Sequence, residues 1–109
     1  MNDMSNDNEV KGRYRPSLNA IPAPVVNSPA PGSSVKSPVE FSGTGEEGWH
    51  VYVVAVPIDG TEYASAVVKN GVWSVSVDMD VRRYSAFAVQ MDNRETSEWS
   101  KIFDFTVTP

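Results

Sequence analysis

Gly71-Val-Trp-Ser-Val-Ser-Val77 and the run Tyr84-Ser-Ala-Phe-Ala-Val-Gln-Met91 that follows it decide how this chain folds. In the first stretch large apolar and small polar residues alternate. That places Trp73, Val75 and Val77 on one face of a strand and Ser74 and Ser76 on the other. Asn70-Gly71 immediately upstream is a hairpin signal, because both residues accept positive φ. The second stretch alternates in the same way, and the remaining segments read as further strands gathered around this pair.

Outward from there the pattern repeats. Val39-Glu-Phe-Ser-Gly43 alternates and ends in the Gly-rich turn Gly43-Thr-Gly-Glu-Glu-Gly48. Residues 49–56, rich in valine and aromatics, form the longest strand candidate, closed by the turn Pro57-Ile-Asp-Gly60. A weaker strand covers residues 61–69. Polar connections at 78–83 and 92–95 flank the Tyr84 strand, and Phe103, Phe105 and Val107 alternate against Ile102, Asp104 and Thr106. Five of the eight prolines lie between Ile21 and Pro38, with Pro16 just upstream. Proline has no N–H to give to a ladder, so Val25-Val26 is expected to be only a short edge strand. The spacing predicts about seven short strands and an all-β, immunoglobulin-like antiparallel sandwich over residues 21–109. Residues 1–20 lack periodicity, and their acids Asp3, Asp7 and Glu9 precede the bases Lys11, Arg13 and Arg15. They read as a disordered, flexible tail or linker.

The totals narrow the function. A chain of 109 residues with 40% hydrophobic content suits one domain with its own core. With no cysteine, neither a disulfide framework nor a thiolate metal site is available. The net charge of −5 argues against a nucleic-acid surface, whose affinity comes from Lys and Arg meeting phosphates. No apolar run approaches the ~20 residues of a membrane helix. The polar start, Met1 to Asn8, does not read as a cleavable signal peptide. Cytoplasmic synthesis, export by a route without a cleaved N-terminal signal, or excision from a longer chain all stay open.

The order Ser28-Pro29, Gly32, Val35, Phe41-Ser-Gly-Thr-Gly45, Asn70-Gly-Val-Trp-Ser74, Tyr84, Ala88-Val-Gln90, Ser97-Glu-Trp-Ser100 and Phe105-Thr-Val107 resembles the bacterial immunoglobulin-like repeats of large surface and secreted proteins. The resemblance runs from Pro22 to the C-terminus. It departs at Glu46-Glu-Gly-Trp-His50, where a bulky Trp49 opens a strand that the family usually begins with proline, glycine and small residues. The resemblance implies a non-catalytic binding or spacer module of a bacterial surface, secreted or phage-borne assembly. Its setting would be extracellular or at the cell surface, with a protein partner, a neighbouring domain of the same kind or a second copy of itself. It also implies that Tyr84 is the tyrosine that opens a late strand and bonds backbone near the corner.

Trp73, Tyr84, Phe105 and Val107 are expected in the inter-sheet core. His50 has no second histidine or cysteine to share a metal, and no Gly-x-Ser-x-Gly elbow accompanies it, so no enzyme activity, cofactor or metal is expected. Asp78, Asp80, Asp92, Glu95 and Glu98 lie near turns but do not follow calcium-loop spacing, and read as solvated. The anomaly is the face opposite the core. With Val51, Val53, Ala55, Tyr84, Ala86 and Ala88 inward, the residues Tyr52, Val54, Phe87, Val89 and Met91 point outward from two strands that neighbour each other in such a sandwich. They are expected to form an exposed apolar patch that binds a partner. A register slip through a bulge, or the tail folding back over the sheet, would each remove the patch. The alternative function is a carbohydrate-binding module that stacks sugars on Trp49, Tyr52, Phe87 and Trp99.

Overall fold

The computed structural model describes residues 12–109. Eight strands follow one another: β1 (Val25–Ser28), β2 (Ser33–Lys36), β3 (Val39–Thr44), β4 (His50–Ala55), β5 (Glu62–Val67), β6 (Val72–Val77), β7 (Arg83–Met91) and β8 (Phe103–Thr108). They form two sheets, β1-β3-β6 and β2-β8-β7-β4-β5. With β1, β3 and β6 as A, B and E, and β8, β7 and β4 as G, F and C, this is an immunoglobulin-like sandwich. All pairings are antiparallel except β2 with β8, which run parallel from Ser33 opposite Phe105 to Lys36 opposite Thr108.

The turn chemistry follows from local sequence. Asn70 and Gly71 both take positive φ, at 56° and 78°, as the tight β5–β6 connection requires. Gly43 is needed for room rather than for φ. A Cβ there would lie 1.7 Å from the Val25 carbonyl oxygen, so only glycine lets β1 lie against β3.

The core between the sheets is built from the inward residues the alternation selects: Val39, Phe41, Val51, Val53, Ala64, Trp73, Tyr84, Ala86, Ala88, Phe103, Phe105 and Val107, all buried. Phe105 is the hub, edge-on to Phe41 at 5.6 Å and stacked on Tyr84 at 5.3 Å. Trp73 donates its indole N–H to the Thr44 carbonyl at 3.1 Å. Tyr84 donates its hydroxyl to the Asp80 carbonyl, four residues upstream, at 2.8 Å. This is the corner bond that the resemblance implies.

The register also fixes the two poles. Thr44, at the end of β3, and His50, at the start of β4, lie at one pole, and Val25 pairs with Thr44 there. Val77 and Arg83 lie at the other, where β8 runs past the Arg83–Thr106 pair to Thr108. The sandwich is therefore entered by β1 at one pole and left by β8 at the other.

Two expectations need correction. The strand β2 falls within the proline-rich stretch, where the sequence suggests no strand besides Val25-Val26. Residues 12–20 of the expected tail pack on the protein, with Tyr14 only 1% exposed. The rest of that tail, residues 1–11, lies outside the described residues.

Candidate functional site

The strands β4 and β7 lie side by side, with Tyr52 opposite Val89 and Val54 opposite Phe87. Their outer side chains share one face of the five-stranded sheet, as the alternation demands. The expected exposed patch is nevertheless not exposed: Val54 and Val89 are 0% and Phe87 1% exposed, while Tyr52 and Met91 are half-buried. The strand register holds, and the segment 12–20 folds back as a strap over that face.

Tyr14 is the anchor of the strap. Its ring meets Phe87 edge-on at 6.2 Å, within a second apolar cluster that joins Val54 and Val89 to Tyr52, Val56, Ile58 and Met91. Phe87 in turn stacks on Trp99 at 4.3 Å, and the Trp99 indole N–H donates to the Tyr14 carbonyl. The Tyr14 hydroxyl donates to Glu62 Oε2 at 2.7 Å, and Arg13 pairs with the same oxygen at 3.3 Å. The guanidinium of Arg13 lies 5.7 Å from the Tyr14 ring centre and 5.6 Å from that of Tyr52. Burial, reinforced by the bond to Glu62, pushes the Tyr14 phenol well above its ordinary range.

Backbone bonds carry the strap onward. Ser17 N–H donates to the Thr96 carbonyl at 2.9 Å, and Thr96 N–H returns to Ser17 Oγ at 2.8 Å. The Asn19 amide donates to the Glu95 carboxylate. Glu98 N–H donates to the Ile21 carbonyl at 2.8 Å. The buried Gln90 then ties three segments together, donating to the Pro22 carbonyl at 3.1 Å and accepting from Glu46 N–H at 2.8 Å. Residues 96–100, which lie against β7, explain the motif Ser97-Glu-Trp-Ser100. The Ser97 and Ser100 hydroxyls accept the N–H groups of Gln90 and Ala88, standing in for strand carbonyls.

The other singled-out residues lie apart from this cluster or are already engaged. His50 is exposed and stacks on Tyr52 at 6.2 Å. Of the four aromatics proposed as sugar platforms, Phe87 is buried, Trp99 has one face against Phe87, and Tyr52 lies between His50 and Arg13; Trp49 is half-buried at the head of β4. Asp92 Oδ1 closes its own turn by accepting from Arg94 and Glu95 N–H, which holds its carboxyl below the usual range. Among the described residues no three His, Asp or Glu side chains gather as a metal site. Sequence reasoning offered the tail folding back over the sheet as one way to remove the patch, but did not single out Tyr14, Arg13 or Glu62 as the residues that make the cover. Their only signal was an apolar outer face that required a cover.

A further surface feature escaped the sequence as well. An apolar cleft of about 580 Å³ opens beside β1, lined by Pro24, Val25, Pro29, Pro31, Ile102 and Phe103 among others.

No protein-family model matches the chain. No curated protein matches it either. Among solved structures it is similar to the BSP domain of a biofilm-associated protein, with a TM-score of 0.53 and 17% identity over 83% of this chain. It is also similar to CopC from Methylosinus trichosporium OB3b, with a TM-score of 0.51 and 14% identity over 79% of this chain and 94% of that one. The chain spans 14% of the length of the biofilm-associated chain. At these identities the likeness is one of fold: all three are built on the same kind of β-sandwich.

Proposed function

We propose that this chain is a non-catalytic, immunoglobulin-like binding or spacer module of a larger bacterial surface, secreted or phage-borne protein, acting through protein–protein contacts. The observation that carries this reading is the separation of the poles: β1 enters the sandwich at the end opposite to that where β8 leaves it. Modules joined in series therefore extend once the strap, which runs over the sheet from Tyr14 beside Glu62 to Ser17 beside Thr96, is drawn off it. The likeness to one domain of a much longer biofilm-associated chain supports the same reading, as does the ordered resemblance to bacterial immunoglobulin-like repeats. The partner is a neighbouring domain of this kind, another protein or a second copy.

Three copies linked in series should show, by small-angle X-ray scattering, a maximum dimension that grows by about one module per copy. A compact particle would contradict the spacer reading. The carbohydrate-binding alternative has less support, because Phe87, Tyr52 and Trp99 already have aromatic or cationic partners on their faces. Saturable glycan binding that is lost in Trp99→Ala would favour it instead. Turnover of an ester or glycoside that depends on His50 would overturn both.

A further inference from the structure

The strap ends at Ala20, whose φ of 53° is unusual for a residue that carries a Cβ. The left-handed region brings the Cβ against the following carbonyl, and alanine has no side-chain polar group to compensate. This residue follows the turn at 18–19 that separates the strap, bonded through Ser17 to Thr96, from the sandwich, bonded through Ile21 to Glu98. Beyond it, Pro22 and Pro24 favour extended backbone. Hinges under strain between two well-packed units are where identical elements are exchanged between copies.

We propose that the partner of the outer face is a second copy of this chain, and that two copies exchange their straps, residues 12–19, with Ala20 as the hinge. This deepens and rests on the reading of the chain as a contact module, and it names the partner and the surface. In the exchanged pair the Tyr14 of one chain fills the socket of Val54, Phe87 and Val89 in the other and donates to that chain's Glu62. Every contact of the closed form is kept, and Ala20 relaxes to an extended conformation in both chains. An extended stretch from residue 17 to residue 21 reaches only about 13 Å. The two copies therefore meet at the pole that carries Glu95 and Thr96, related by a two-fold axis. The β4–β7 face, covered in the closed form by the chain's own strap, is covered in the exchanged pair by the neighbour's.

The absence of cysteine from the chain makes the test direct. Ser17→Cys and Thr96→Cys are placed on separate full-length chains. These are mixed, unfolded and refolded together at roughly millimolar concentration, the order of the local concentration that a short tether imposes. Oxidation should give a disulfide between the two different chains, and only in the mixture. The double variant in one chain, at low concentration, should give a disulfide within the chain and so confirms that both cysteines reach each other. Ala20→Gly removes the hinge strain of the closed form and should lower the association constant about tenfold per hinge. Cross-links that stay within single chains at every concentration would overturn the proposal. So would association that is unchanged in both Ala20→Gly and Tyr14→Ala, since the contact would then lie on another surface. Neither result bears on the growth of linked copies in scattering, so the spacer reading stands or falls separately.

Discussion

Tyr14 joins the strap to the sheet by two kinds of chemistry, ring packing on Phe87 and a hydroxyl bond to Glu62. Its phenol is raised because burial, and then the neighbouring carboxylate, disfavour the phenolate. A phenol whose folded pKa lies above its unfolded value near 10 keeps its proton in the folded form while the unfolded form loses it. Its stability contribution is therefore full below about pH 10 and falls as pH rises beyond that. Alkaline titration followed by tyrosinate absorbance should show the strap leaving in that range. In Tyr14→Phe the alkaline loss of protection at the Ser17 and Thr96 amides should be weaker. Trp73 is the corresponding anchor of the main core, 3% exposed and bonded to Thr44. Trp73→Ala should cost about 3–5 kcal/mol out of the ~5–15 kcal/mol a domain possesses. A shift in the denaturant midpoint measures it, and a midpoint near that of the parent would place the side chain's energetic role elsewhere.

At the scale of single elements, the longer strands with two alternating faces were legible and the short strand hemmed in by prolines was not. Residues 72–77 and 83–91 carry their facing in their own sequence, which is why the inward set Trp73, Tyr84, Ala86 and Ala88 could be read directly. The strand β2 has prolines near both ends, so its four residues look like turn. The strap was unreadable for a different reason. Its stability comes from one aromatic and from bonds to residues some 80 positions away, as between Ser17 and Thr96, and no local period announces such contacts. Its cover also changes what substitution of the outer face does. Phe87→Thr with Val89→Lys would be harmless on a solvated surface, but here it places an ammonium beneath Tyr14, where burial of an unpaired charge is costly. The expected result is loss of amide protection at Ser17 and Thr96, with the strap detached. Protection equal to that of the parent would mean that Tyr14 does not depend on this face.

For the whole molecule, acid should be the weaker side of neutral pH. Asp104 is held below the usual carboxylate range by the Ser85 hydroxyl and then by Arg83, Asp59 by Thr61 N–H, and Asp92 by the amides of its turn. A depressed folded pKa gives stability that is present above the unfolded value, near 3.9, and is lost as pH falls through the folded one. Melting temperature should therefore decline below about pH 4, and Asp104→Asn should reduce that dependence. A flat acid limb would show these bonds to be energetically idle.

The parallel pairing of β2 with β8 has a mechanical consequence. A pull applied between the two ends of the sandwich draws these strands in opposite directions along their length. The four pairs from Ser33–Phe105 to Lys36–Thr108 are then loaded together rather than one after another. The strap responds differently, because tension reaching it from upstream peels its contacts in turn. Release of residues 12–20 adds roughly 30 Å of chain before the parallel clamp bears load. The fold thus places a soft, extensible element ahead of a stiff one along a single line of force.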